Sequence, residues 1–263
     1  MSASLVRRTS VALSDRLSER DLEVLRSARE HRFLTARQIE ALHFADHATP
    51  LAGARVCRRV LARLSEHRLL ARLERRVGGV RAGSASYVYA LGPTGSRLID
   101  ERPRRVSEPS PLFLAHTLAV AQTHVELVQA ARAGDVDLVG VEVEPACWRR
   151  YVGAGGAPEA VKPDLYVVTG SGEYEDCWFV EIDCGTESPQ ALRRKCRAYE
   201  AYWRSGREQA AHGTFPLVVW SAPTKQRAAR ISQTITATRH LKRELFRVTA
   251  AAELVALVSG GTG

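Results

Sequence analysis

KPDLYVV, residues 162–168, and DCWFVEIDCG, residues 176–185, are the stretches on which the fold turns. Each is a short apolar run bounded by acids. Asp164 stands where the first run begins, and Glu181 and Asp183 stand where the second closes. Runs this short and this continuously apolar read as strands covered on both faces. Acids fit such runs only at strand ends, where the edge of the sheet is open and a carboxylate stays hydrated. Carboxylates that converge there bind hard divalent cations such as Mg²⁺ or Mn²⁺. Such ions activate water and offset the charge on a phosphodiester being broken.

The surrounding chain supplies the rest of a layered α/β (α+β) domain over residues 112–263. LFLAHTLAVAQTHVELVQAARAG reads as a helix ended by Gly134, and DLVGVEVE as a strand. PACWRRYVGAGGAPEAV reads as a long loop, its GAGG at 153–156 a flexible connection. SPQALRRKCRAYEAYWRSG is a helix with Ser188 as cap, Pro189 in its first turn and Gly206 at its end. FPLVVWSA is a strand and TKQRAARISQTITAT a helix. ELFRVTA is a last strand and AAELVALV a short helix. The expected order is α-β-β-β-α-β-α-β-α.

On the helix after the second acidic strand, Lys195 shares a face with Leu192, Tyr199 and, one turn on, Tyr202. That face turns toward the sheet, where a lysine is unwelcome unless it serves the strand ends. Its alternative is to snorkel past apolar neighbours to water. Glu126 lies with Gln122 and Gln129 on a polar helix face, and His116 and His124 share that helix. Glu142 and Glu144 alternate with valines, and Glu187 lies in the turn CGTES.

The N-terminal part has a different character. Residues 1–110 hold 21 arginines against 12 acids, which leaves +9. The remaining residues hold 17 basic and 17 acidic side chains and balance. An excess of charge confined to one part points to a domain that meets a polyanion. Residues 1–14 read as a basic tail. SERDLEVLRSAREH opens on a Ser cap with acids in its first turn, FLTARQIEALHF on Thr35, and ARVCRRVLARLSEHRLL carries Val56, Val60 and Leu64 at helical spacing. Two strands follow, LLARLERRVGG and SYVYALGP, around GGVRAGS. Three helices and a hairpin over residues 15–101 make the order of a winged helix-turn-helix. The third helix sets Arg55, Arg58, Arg59 and Arg63 opposite its apolar face, and Arg75, Arg76 and Arg81 fall in or beside the wing. A helix fits the major groove of double-stranded DNA, where arginine contacts guanine edges or phosphates. ERPRRVSEPSP reads as a linker over 102–111.

Five cysteines without a CxxC pair fit reduced thiols and a cytoplasmic setting, and the chain shows no secretory segment and no membrane span. No GxGxxG or P-loop signals a nucleotide cofactor.

The acidic strands resemble the PD-(D/E)xK nuclease superfamily. Pro163-Asp164 matches its PD, Glu181 matches the acid of its third strand, and Asp183 departs from the pattern where lysine is usual. Members that draw this lysine from the next helix make Lys195 the counterpart. Members that draw a metal ligand from the first helix make Glu126 a candidate beside Asp164, Glu181 and Asp183. A winged helix followed by FVEIDCGTES and RRKCRAYEAY is similar to the replication-relaxation family, itself similar to the MOBC class of conjugative relaxases. That resemblance implies a metal-dependent DNA nickase or endonuclease of plasmid or mobile-element replication or transfer, acting with other DNA-processing proteins. It implies no relaxase histidine cluster and no catalytic tyrosine. The alternative is a catalytically inactive nuclease fold that serves as a DNA-binding accessory factor, which Asp183 in the lysine position favours.

Overall fold

The computed structural model describes residues 17–77, 86–100 and 107–260. The chain divides into two compact units, 1–125 and 126–263, and the division falls inside one long helix.

Unit 1 begins with α1 (Glu19–Glu30), β1 (Leu34–Thr35), α2 (Ala36–His43) and α3 (Pro50–Glu66). Ser18 and Asp21 form a reciprocal capping box on α1, and Thr35 with Gln38 does the same on α2. The third helix starts four residues before the sequence suggested, because Thr49 caps it and Pro50 occupies its first turn. Gly53 has no room for a side chain, since a Cβ there would lie 2.6 Å from the Phe44 carbonyl oxygen. β2 (Leu70–Val77) and β3 (Ser86–Leu91) pair antiparallel in register Leu70↔Leu91, and the sheet order is β1-β3-β2. α4 (Pro93–Asp100) follows directly, and α5 (Pro111–Ala133) carries the chain across the division. Leu25, Leu34, Ile39, Leu61, Leu64 and Leu70 form the core of this unit. Three helices and an antiparallel hairpin are the winged-helix elements in the expected order.

Unit 2 is built on a mixed sheet of β4 (Asp137–Val143), β7 (Leu165–Ser171), β8 (Tyr174–Ile182), β9 (Leu217–Ala222) and β10 (Phe246–Ala250). The order is β10-β9-β8-β7-β4. β4 pairs antiparallel with β7 and β7 with β8, whereas β8 with β9 and β9 with β10 pair parallel. Parallel pairs need crossovers, and helices supply them: α6 (Pro189–Arg204) and the short α7 (Arg207–His212) before β9, and α8 (Lys225–Ala237) before β10. α9 (Leu254–Ser259) closes the described chain. Phe179, Val218 and Trp220 on one sheet face pack with Leu192, Cys196 and Tyr199 of α6 and Ile231 of α8.

The stretch expected as a long loop is a hairpin, β5 (Arg149–Val152) and β6 (Pro158–Val161). Tertiary contact overrides its weak local signal. The Arg149 guanidinium lies 4.6 Å over the Tyr166 ring and bonds Glu142, while the Tyr151 hydroxyl donates to Glu159 at 2.6 Å. No helix among the described residues is long and apolar enough to cross a membrane.

Candidate functional site

The register of β7 and β8 builds the centre of the site. The ladder ends at Leu165↔Val180, and Asp164 stands just before β7, near enough for its charge to act on Glu181 at the end of β8. The backbone holds them there. Asp164 N–H donates to the Val180 carbonyl at 3.0 Å, and the Ile182 N–H donates to Asp164 Oδ2 at 2.7 Å. Asp164 is 7% exposed and Glu181 1%. Like charges set side by side on neighbouring strands destabilise a sheet, and burial raises that cost.

α6 answers this charge. Lys195 and Tyr199, four residues apart, both face Glu181. Lys195 Nζ donates to Glu181 Oε2 at 2.8 Å, and the Tyr199 hydroxyl donates to Glu181 Oε1 at 2.6 Å. Lys195 also reaches Glu187 Oε1 at 2.6 Å and lies 5.4 Å over the Trp220 ring. Burial and the neighbouring Asp164 charge push the Glu181 carboxyl up to about 7, against the opposing pull of Lys195 and Tyr199. Burial works against the Lys195 charge, but Glu181 and Glu187 outweigh it and raise its pKa, so the ammonium persists. Tyr199 is buried, and burial together with Glu181 raises its hydroxyl pKa well above the ordinary value. A tyrosine held this way positions a carboxylate and is a poor nucleophile.

Asp183 has a separate partner. Its N–H donates to the Ser221 carbonyl, which fixes it at the end of β8. Arg227, in the first turn of α8, grips it with both arms, Nε to Oδ2 at 2.8 Å and Nη2 to Oδ1 at 2.9 Å. The Gly185 N–H adds a bond to Oδ2. The same Arg227 Nη2 donates to the Glu187 carbonyl oxygen at 2.7 Å and ties the turn before α6 to α8. Asp183 and Arg227 therefore cancel, and Lys195 is shared between Glu181 and Glu187.

Carboxylates such as Asp164 and Glu181 are the donor type that a hard divalent cation takes. Glu187 Oε2 is buried without a hydrogen-bond partner beside Lys195. Among the described residues no group of three or more His, Cys, Asp or Glu side chains is gathered to hold a metal. A Mg²⁺ ion suits a sparser set, since it keeps several waters and takes one or two protein carboxylates. Glu126 is half-buried on α5 and does not join Asp164 and Glu181 in such a group.

In unit 1 the arginines singled out by sequence stand on the solvent face of α3. Arg55, Arg58, Arg59 and Arg63 are all exposed, while Cys57, Leu61 and Leu64 are buried behind them. Arg63 is anchored, its Nη2 lying 2.5 Å from the buried Asp21 carboxylate. Arg55, Arg58 and Arg59 have no hydrogen-bond or ion-pair partner among the described residues. Arg75 and Arg76 fall on β2, but their side chains, like Arg81, lie outside the described residues. Beside α3 runs a groove of about 1080 Å³ walled by α2, α3 and the hairpin. Arg37, Arg58, Arg68 and Arg72 line it, and the Arg72 guanidinium lies 4.4 Å over the Tyr87 ring.

Sequence reasoning missed Arg227, Tyr199 as a carboxylate clamp, and the groove arginines 37, 68 and 72. The four-residue interval from Lys195 to Tyr199 was the available signal for the clamp. Arg227 lies 44 residues from Asp183, and no local pattern joins them.

No curated protein and no solved structure matches the chain. The family model described as replication-relaxation matches residues 25–218, from α1 of unit 1 into β9 of unit 2. The match covers most of the chain and runs through the acidic strands, and the chain belongs to the replication-relaxation family.

Proposed function

We propose that this protein binds double-stranded DNA of a plasmid or mobile element and nicks it in a metal-dependent reaction. Family membership supports the coarser part of this reading, a role in the replication or relaxation of such elements. The observation that carries the finer part is the buried side-by-side pair of Asp164 and Glu181. A fold gains nothing in stability from two acids placed so, and a carboxyl perturbed as Glu181 is marks a functional site.

Asp164 and Glu181 would hold Mg²⁺ or Mn²⁺. The ion would supply positive charge toward a scissile phosphate and acidify a water. Tyr199 keeps Glu181 Oε1 fixed. Lys195, shared between Glu181 and Glu187, supplies a cation that can turn toward the charge developing on phosphate. Asp183, locked to Arg227, orders the turn that carries Glu187. In unit 1, Arg55, Arg58 and Arg59 present guanidinium groups to the major groove, and the groove arginines meet backbone phosphates.

A supercoiled-plasmid assay with Mg²⁺ or Mn²⁺, using DNA from the element that encodes the protein, tests this reading. Open-circle product from wild type, absent with EDTA and reduced at least ~10²-fold in Glu181→Ala, is the expected result. Tight DNA binding without any product would favour a second reading, a nuclease fold that acts as a DNA-binding accessory factor. The bidentate Asp183–Arg227 pair, in the position where the nuclease pattern has lysine, is the observation on that side.

A further inference from the structure

An arginine-lined cavity lies in unit 2, on the side of α6 turned away from the carboxylates. α6 presents Lys195 and Tyr199 to the sheet. Arg197, Ala201 and Arg204, spaced by four and three residues, occupy a different face and are exposed. They line a cavity of about 750 Å³. The opposite wall is the glycine turn of the β5–β6 hairpin, and Arg207, Arg239 and His240 complete it. Ala201, Gly153 and Gly155 are small and leave the arginines room to close on a ligand.

The charges in this cavity do not cancel. Its two acids are already engaged. Glu159 accepts from the Tyr151 hydroxyl, and Glu200 accepts from Arg204 Nη2 at 3.0 Å and from the Lys242 N–H at 3.1 Å. Arg197, Arg207 and Arg239 are exposed and have no side-chain partner among the described residues. Three guanidinium groups without partners around one concavity make a donor array suited to tetrahedral oxyanions, which arginine engages through paired N–H bonds. Over residues 111–263 the charge is balanced, so this cluster is a local concentration and not the overflow of a basic domain.

We infer that this cavity is a docking site for the phosphate backbone of DNA on the unit that carries the carboxylate pair. The inference rests on the proposed DNA reading, since it places a second set of phosphate contacts on the unit that carries Asp164 and Glu181. Lys195 and Arg204 are nine residues apart on α6, an axial rise of roughly 13 Å at about 1.5 Å per residue, and project from opposite sides of the helix, so the cavity grips DNA at a distance from the carboxylates.

The test is the salt dependence of duplex binding by the full chain, followed by fluorescence anisotropy. The pocket variant Arg197→Ala/Arg239→Ala is compared with Arg150→Ala/Arg230→Ala, which removes the same charge from exposed positions outside the cavity. Each lost phosphate contact lowers the slope of log K against log salt by about 0.9. The expected result is a fall of about 1.8 for the pocket variant and little change for the control. Equal falls in the two variants would reduce the cavity to bulk charge and overturn the inference. So would an unchanged slope in the pocket variant while Arg55→Ala/Arg58→Ala weakens binding, and in that case the reading of unit 1 stands. Wild type that binds no duplex removes both.

Discussion

Acidifying the protein from about pH 7.5 to about pH 5 should destabilise unit 1 by about 4 kcal/mol. The cause is a facing pair of histidines, one buried and one half-buried. His31, at the end of α1, and His124, on α5, face each other with Nε2 and Nδ1 3.0 Å apart. Burial, with the neighbouring His124 and His43, lowers the His31 pKa to about 3, and burial lowers that of His124 to about 4. Both side chains are therefore neutral in the folded unit, whereas in the unfolded chain they titrate near 6.5. The unfolded state binds more protons below that value. Stability is complete above about pH 6.5 and is lost progressively as the pH falls toward the folded-state values. At about pH 5 each histidine is about 1.5 pH units below its unfolded pKa, which costs about 2 kcal/mol apiece at 1.36 kcal/mol per unit. The four tryptophans, Trp148, Trp178, Trp203 and Trp220, all lie in unit 2. Urea unfolding followed by far-ultraviolet circular dichroism reports both units, and tryptophan fluorescence reports unit 2 alone. The acid loss should appear in the first signal only, and His124→Gln should remove about half of it. A dichroism midpoint that does not move with pH, or a variant as acid-sensitive as wild type, would refute this account of the pair.

Unit 2 should respond to acid with the opposite sign. Glu181 is raised to about 7 in the folded state against 4.5 unfolded, so the folded form gains protons first and the fluorescence-monitored transition should strengthen as pH falls between those values; a parallel weakening would count against the buried acid pair. Tyr199→Phe removes the donor to Glu181 Oε1 and leaves a buried acceptor unpaired, at a cost of about 1–3 kcal/mol in the same urea melts; no change would show that the clamp is idle. Cys57, Cys147 and Cys196 are buried, and burial pushes each thiol up to about 12, while Cys177 and Cys184 are partly exposed. Native protein should therefore react with an aromatic disulfide reagent at Cys177 and Cys184 alone, as read by peptide mapping, and modification of Cys196 would contradict its packing between α6 and the sheet.

The acidic strands were legible because their apolar runs are short and end in residues no core accepts. The capped helices were legible because Ser18, Thr35 and Ser188 each precede a periodic stretch. Lys195 was legible as an inward lysine, since Leu192 and Tyr199 fix the face it shares. The β5–β6 hairpin was not, because its turn is rich in glycine and Arg149 seats it on the Tyr166 ring of β7, a contact that only the fold creates. His31 and His124 are 93 residues apart, and no periodicity foretells their contact. The same holds for Arg227. It sits in the first turn of a helix, where a cation is disfavoured by the helix dipole, and the reason for it appears only once Asp183 is placed. Sequence carries the local rules of strands, caps and helix faces, whereas charge balance at the site is settled by segments that meet only in the fold.

The β7–β8 hairpin has a consequence for how the chain is made. Its turn is short, with Gly172 in the left-handed region at φ 63°, and hairpins of this kind close within about 1–10 μs. Synthesis adds only about 5–20 residues each second. Lys195 follows Glu181 by only 14 residues and is already in the chain when the hairpin leaves the ribosome, whereas Arg227 follows Asp183 by 44. An isolated hairpin is only marginally stable, so the acidic strands are held for good only when α6 and then α8 are laid across the sheet.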